Sequence, residues 1–122
     1  MIPERYAPRS LSWSDRVKQL KSIREGTDRP KVDYPHKRSK WVARFEARYG
    51  HKITDSSFIA KSILSKKGQD EILAKGKAAY YTSGSRPNVT ATQWAYARLA
   101  SVILGGKARN IDKSIWDKYR KT

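Results

Sequence analysis

Cysteine is missing from this chain, which excludes disulfide staples and thiolate metal centres. Histidine is nearly missing: His36 and His51 are too few for a His-based metal cage. No apolar run approaches the ~20 residues that cross a bilayer as a helix. The opening residues, MIPERYAPRS, carry no apolar stretch of the secretory kind, so the product is expected to be made in the cell interior and not secreted by that route. Carboxylates are scarce as well, with 11 Asp and Glu in 122 residues. Beyond residue 80 the only acids are Asp112 and Asp117, which lie five apart on an expected helix and so do not face one another. No Ser/His/Asp ordering and no cluster of carboxylates stands out. Tyr80 or Tyr81 beside Arg86 and Arg98 has the outline of a tyrosine nucleophile for strand cleavage, but a supporting histidine set is lacking. The expectation is no enzyme, no cofactor, no metal and no small-molecule substrate.

What the chain has in excess is positive charge. Against the 11 acids stand 27 Lys and Arg, for a net charge of +16 and a pI near 10.3. The excess is not confined to a tail. Basic residues outnumber acidic ones 11 to 5 in 1–40, 8 to 4 in 41–79 and 8 to 2 in 80–122. Such a balance implies polyanionic partners: nucleic acid, acidic protein faces, or an anionic membrane surface, which stays open.

Pro3 and Pro8 make the first ten residues extended. Ser12 is placed to cap a helix bearing Trp13, Val17 and Leu20 on a narrow apolar stripe, ended by Gly26. Residues 27–38 contain Pro30 and Pro35 and show no apolar period, so they read as an extended basic linker. From residue 39 the pattern becomes that of a packed helical domain. Ser39 caps a helix with Trp41, Phe45 and Tyr49 in register, closed by Gly50. Thr54 opens a helix with Phe58, Ile59, Ile63 and Leu64 facing inward and Gly68 as its stop. A short helix runs from Asp70 to Lys75 and ends at Gly76. Residues 78–88 read as irregular. Thr90 and Gln93 then form a capping box for a helix that is apolar or small nearly all round up to Leu104, the pattern of a central element in which Trp94 and Leu99 belong to the core. Asn110 caps a last helix with Ile111, Ile115 and Trp116. The fold class is therefore all-α: an extended basic arm, 1–38, containing one helix, and a compact basic domain, 39–122, of about five helices.

Two loops carry candidate chemistry. In Ser83–Asn88 the residues Ser83, Ser85, Arg86 and Asn88 supply donors beside a helix start, an arrangement that suits either an anion or an internal brace. The brace is the favoured reading, with Arg86 and Asn88 tying the loop to neighbouring carbonyls and Arg86 the first candidate. In Gly105–Asn110, Lys107 and Arg109 follow a helix end and suit a C-cap or a phosphate contact. With Lys37, Arg38, Lys40, Lys66 and Lys67 they make up the anion or nucleic-acid candidates. On the arm, Arg5, Trp13, Val17, Leu20, Lys31 and Tyr34 are the candidates for contact with a partner protein.

The strings YYTSGSRPN (80–88), QWAYARLAS (93–101) and GGKA (105–108) resemble an uncharacterised domain carried by nucleocytoplasmic large DNA viruses of algae and amoebae. Residues 11–19 and 29–32 are similar to its basic arm, so the resemblance covers 11–32 and 76–116. It implies a viral setting and brings no catalytic residues. The function expected is that of a minor, capsid-associated structural protein of the virion, tethering neighbouring subunits through its arm. The alternative is a sequence-independent DNA-binding or genome-condensing virion protein. Expected partners are other capsid proteins, or nucleic acid through its backbone phosphates.

Overall fold

Side-chain caps start five of the α-helices. In a computed structural model that describes residues 2–121, the Oγ of Ser12 accepts the Asp15 N–H and opens α1 (Trp13–Glu25). Ser39 does the same for α2 (Lys40–Tyr49), Asp55 for α3 (Ser56–Ser62) and Ser65 for α4 (Lys66–Ser83). Thr90 opens α5 (Ala91–Ile103), with the reciprocal Gln93 bond of a full capping box. Two short helices follow, α6 (Lys107–Ile111) and α7 (Lys113–Tyr119). Gly26 and Gly50 end α1 and α2 in the left-handed conformation, as expected. The fold is all-α, with six helices beyond the arm among the described residues.

The core lies between α5 and the helices around it, α2, α4 and α6. Phe45, Ile59, Leu64, Ile72, Leu99 and Val102 are completely covered. Trp41, Tyr49, Phe58, Trp116 and Tyr119 are half-buried around them. Trp94 is not a core residue: it is half-buried and meets the arm's Tyr6 edge-on, ring centroids 5.7 Å apart.

Several boundaries differ from the expected ones. A 3-10 turn, Glu4–Tyr6, interrupts the extended start, and Asp55 rather than Thr54 caps α3. Three further differences have a tertiary reason. Gly68 and Gly76 lie inside α4 and stop nothing. Each marks a close approach: a Cβ on Gly68 would come 2.6 Å from the Tyr119 Cβ, and one on Gly76 2.7 Å from the Ala95 Cα. Helix α4 therefore runs on through 78–83, and only the segment from Gly84 to Thr90 is a loop. Asn110 falls inside α6; the break comes at Asp112, whose carbonyl accepts the Ile115 and Trp116 N–H groups at 3.0 Å. The chain closes by pairing residues 119–121 with the α3–α4 connection, where Lys121 N–H donates to the Ile63 carbonyl at 2.7 Å.

Candidate functional site: arm seam, outer stripe and basic groove

The arm lies on its own chain, and the loop after α4 receives it. Ala7, Leu11, Ile23 and Val32 are buried. Gln19, fully buried, donates its amide to the Tyr6 and Ser85 carbonyls. Tyr80, at the end of α4, accepts the Arg29 N–H on its hydroxyl and donates to the Val89 carbonyl at 2.7 Å. The Arg29 guanidinium sits over the Tyr80 ring, 4.6 Å from its centre. Tyr81 donates to Asp28, whose carboxylate pushes the Tyr81 hydroxyl pKa above its ordinary value. The Asn88 side-chain amide holds the backbone of Val32 and Tyr34, and the Asn88 backbone carbonyl meets the His36 ring at 3.1 Å.

The brace in the 83–88 loop is thus Asn88, and Arg86 is not part of it. Arg86 is exposed, and its guanidinium makes no hydrogen bond or ion pair among the described residues. This corrects the structural role expected for Arg86. The reason is local: Pro87 is buried, and the left-handed backbone of Asn88, φ 59°, turns the amide toward the arm.

Helix α1 is docked by its polar side. Gln19, Ser22 and Ile23 face inward onto the α4 end of the domain. Trp13 and Val17 face outward, 81% and 44% exposed, with Leu20 half-buried beside them. An exposed tryptophan on a helix whose buried face carries a glutamine is the informative departure here. Lys18, Lys21 and Arg24 are exposed on the same helix. Of the other arm candidates, Arg5 is exposed with its guanidinium over the Tyr6 ring, and Lys31 is exposed. Tyr34 is half-buried at the seam, its carbonyl accepting from Asn88.

The remaining cations do not gather into one patch by sequence order. Arg38 pairs with Glu46; with the Ile53 N–H it outweighs partial burial and holds that carboxyl below the usual range. Lys66 pairs with Asp70 one turn on. Lys37, Lys40, Lys67 and Lys107 are exposed with no ion-pair partner among the described residues, Lys40 lying over the Trp41 ring. Arg109 takes the C-cap reading: Nε and Nη2 donate to the Val102 and Ile103 carbonyls at the end of α5, both at 2.8 Å.

Arg109 also belongs to a groove that sequence order does not reveal. Between α2–α3 and the α5–α7 end lies an open depression of about 490 Å³. Arg48, Arg109 and Lys121 line it with Phe58, Leu104 and Trp116, and no carboxylate does. Arg109 sits 4.2 Å over the centre of the Trp116 ring. The other feature missed is the pair Arg98–Asp112. Asp112 is fully buried and takes both Nε and Nη2 of Arg98, at 2.7 and 2.8 Å, which raises the Arg98 pKa further. Its signal was the isolation of Asp112 in a basic stretch; its partner lies on another helix. Among the described residues no His, Asp and Glu gather as a metal site, and no helix is long and apolar enough to cross a membrane.

A family model described as a family of unknown function (DUF5824) matches residues 3–118. No curated protein and no solved structure matches.

Proposed function

We propose that this chain, which belongs to that family of unknown function, is a non-catalytic structural component of a large DNA virus particle. In this reading it is capsid-associated and holds neighbouring subunits through its arm. The observation that carries the reading is the orientation of α1. The arm is fastened to the domain by Gln19, Ile23, Val32 and Asn88, and that fastening leaves Trp13 and Val17 facing solvent. Cations on the same helix give this face the chemistry to meet an acidic protein surface. The viral setting is supported by the resemblance of residues 80–108. The test is a photo-crosslinking residue at position 17 in assembled particles. Adducts with a shell protein are expected. Adducts confined to the chain itself, or recovery of the protein only with the nucleoprotein, would overturn it.

A second reading, sequence-independent nucleic-acid binding, is favoured by the charge left unpaired. Among the described residues only five Lys or Arg side chains form ion pairs, against 27 in the chain. Its signature is a steep fall of affinity with salt, about 0.9 log unit per log unit for each duplex phosphate neutralised. A flat salt dependence would remove this reading.

A further inference from the structure

We propose that the groove between α2–α3 and the α5–α7 end seats an unpaired nucleotide of a single-stranded nucleic acid. The phosphate would lie among Arg48, Arg109 and Lys121, and the base against the Arg109 guanidinium stacked on Trp116. The inference rests on the nucleic-acid reading above and gives it a location and a strand form.

Three properties of the groove support this occupant. First, its three cations face no carboxylate in the lining. Asp117 lies near enough to Arg109 to feel its charge, but it is paired with Lys113 at 2.6 Å and does not line the groove. Second, Arg109 is pre-organised. Two carbonyls hold Nε and Nη2, Trp116 lies beneath the guanidinium, and Nη1 makes no hydrogen bond among the described residues. A planar cation fixed in this way contacts a phosphate without losing further side-chain freedom. Third, Phe58, Leu104 and Trp116 give the lining an aromatic and apolar part. One Phe58 face is taken by the His51 ring, 3.7 Å away and nearly parallel, so the stacking surface left is the Arg109 guanidinium on Trp116. Bases stack on aromatic rings and on guanidinium planes, and a duplex hides those faces. An acidic peptide would satisfy the cations but brings no flat heterocycle to the Arg109–Trp116 stack. The volume, about 490 Å³, lies within the roughly 300–1,000 Å³ range of ligand sites.

The test is fluorescence anisotropy of a short labelled oligothymidylate with the full chain across a salt series. A strand of equal length lacking bases serves as the second probe and polyglutamate as the competitor. Two variants that each remove two exposed charges are compared: Arg48→Ala with Lys121→Ala, and Lys18→Ala with Arg24→Ala on α1. The intact chain should bind the base-bearing strand at least about fivefold tighter than the abasic one, the low end for a single stacked base. The groove variant should lose more affinity than the α1 variant, and its salt slope should fall by about 1.4, that is ~0.7 per contact on a single strand. Equal losses in both variants would overturn the groove and leave nucleic-acid binding standing. Equal affinity for the two strands would overturn the base seat. Displacement by polyglutamate at matched charge would make the groove a peptide site. No binding to the intact chain at low salt would remove the nucleic-acid reading itself, and the groove with it.

Discussion

Asn88 holds Val32 at both of its backbone polar groups: the Val32 N–H donates to Oδ1 and Nδ2 donates to the Val32 carbonyl, each at 3.0 Å. Nδ2 also donates to the Tyr34 carbonyl at 2.8 Å, so two carbonyls decide which end of the amide carries nitrogen. One side chain here does what a neighbouring strand does in a sheet, and it fastens a linker that has no regular structure of its own.

Asn88→Gly tolerates the left-handed backbone and removes all three bonds. A loss of about 1–3 kcal/mol is expected, roughly 1 per bond at most for partly exposed partners. Faster amide exchange at Val32 and trypsin cleavage after Lys31 should accompany it. Arg86→Ala in the same loop should leave stability within about 0.5 kcal/mol. Protection of Val32 that survives the glycine substitution would show that the amide is not the fastener.

The Arg98–Asp112 pair predicts an asymmetric cycle. Arg98→Met leaves a fully buried carboxylate with no partner and should cost about 3–5 kcal/mol. Asp112→Leu alone should cost less, because the Arg98 side chain is 18% exposed and can reach water. The double variant should recover most of the loss, since removing both charges also removes their desolvation. Urea midpoints of the four proteins measure this; additive single losses would contradict it.

Gly76→Ala tests the close approach of α4 and α5. Helix propensity alone favours alanine by about 1 kcal/mol. Overpacking against the Ala95 backbone should outweigh that and give a net destabilisation of up to about 2 kcal/mol. The obstacle at Ala95 is its backbone Cα, 2.7 Å from the new Cβ, so Ala95→Gly should not rescue it. A higher melting temperature for Gly76→Ala would show that the helices separate without cost.

Acid should weaken the fold through Glu46 and Asp55. Arg38 lowers the Glu46 pKa, and His51 followed by the Phe58 N–H lowers that of Asp55. A carboxyl depressed by folding adds stability above its unfolded value and loses it as pH falls through the folded one. The melting temperature should therefore hold above about pH 5 and drop below about pH 4. Glu46→Gln with Asp55→Asn should lower stability at neutral pH and flatten that acid limb. An acid limb unchanged in the double variant would assign it to other groups.

The sequence by itself determined what short-range physics decides. Ser12, Ser39 and Thr90 reach N–H groups three residues on, Gly26 and Gly50 turn left-handed, and α5 is apolar around most of its girth. Those features made the all-helical class, the start of the arm helix and the central helix legible, because caps and periodicity involve residues a turn or two apart. Pattern reading faltered where a partner distant in sequence chose between two local meanings. Glycine is both a helix stop and the residue that lets another element come close; only Tyr119 and Ala95, far along the chain, select the second meaning at Gly68 and Gly76. The stripe Trp13–Val17 is the side of α1 that local amphipathicity turns inward, yet the hydrogen bonds of Gln19 to Tyr6 and Ser85 turn it outward. Asp112 and Arg98, 14 residues apart, become a pair only when α5 and α6 fold against one another. The groove of Arg48, Arg109 and Lys121 draws on three separate segments, and the closeness of such charges belongs to the tertiary structure alone.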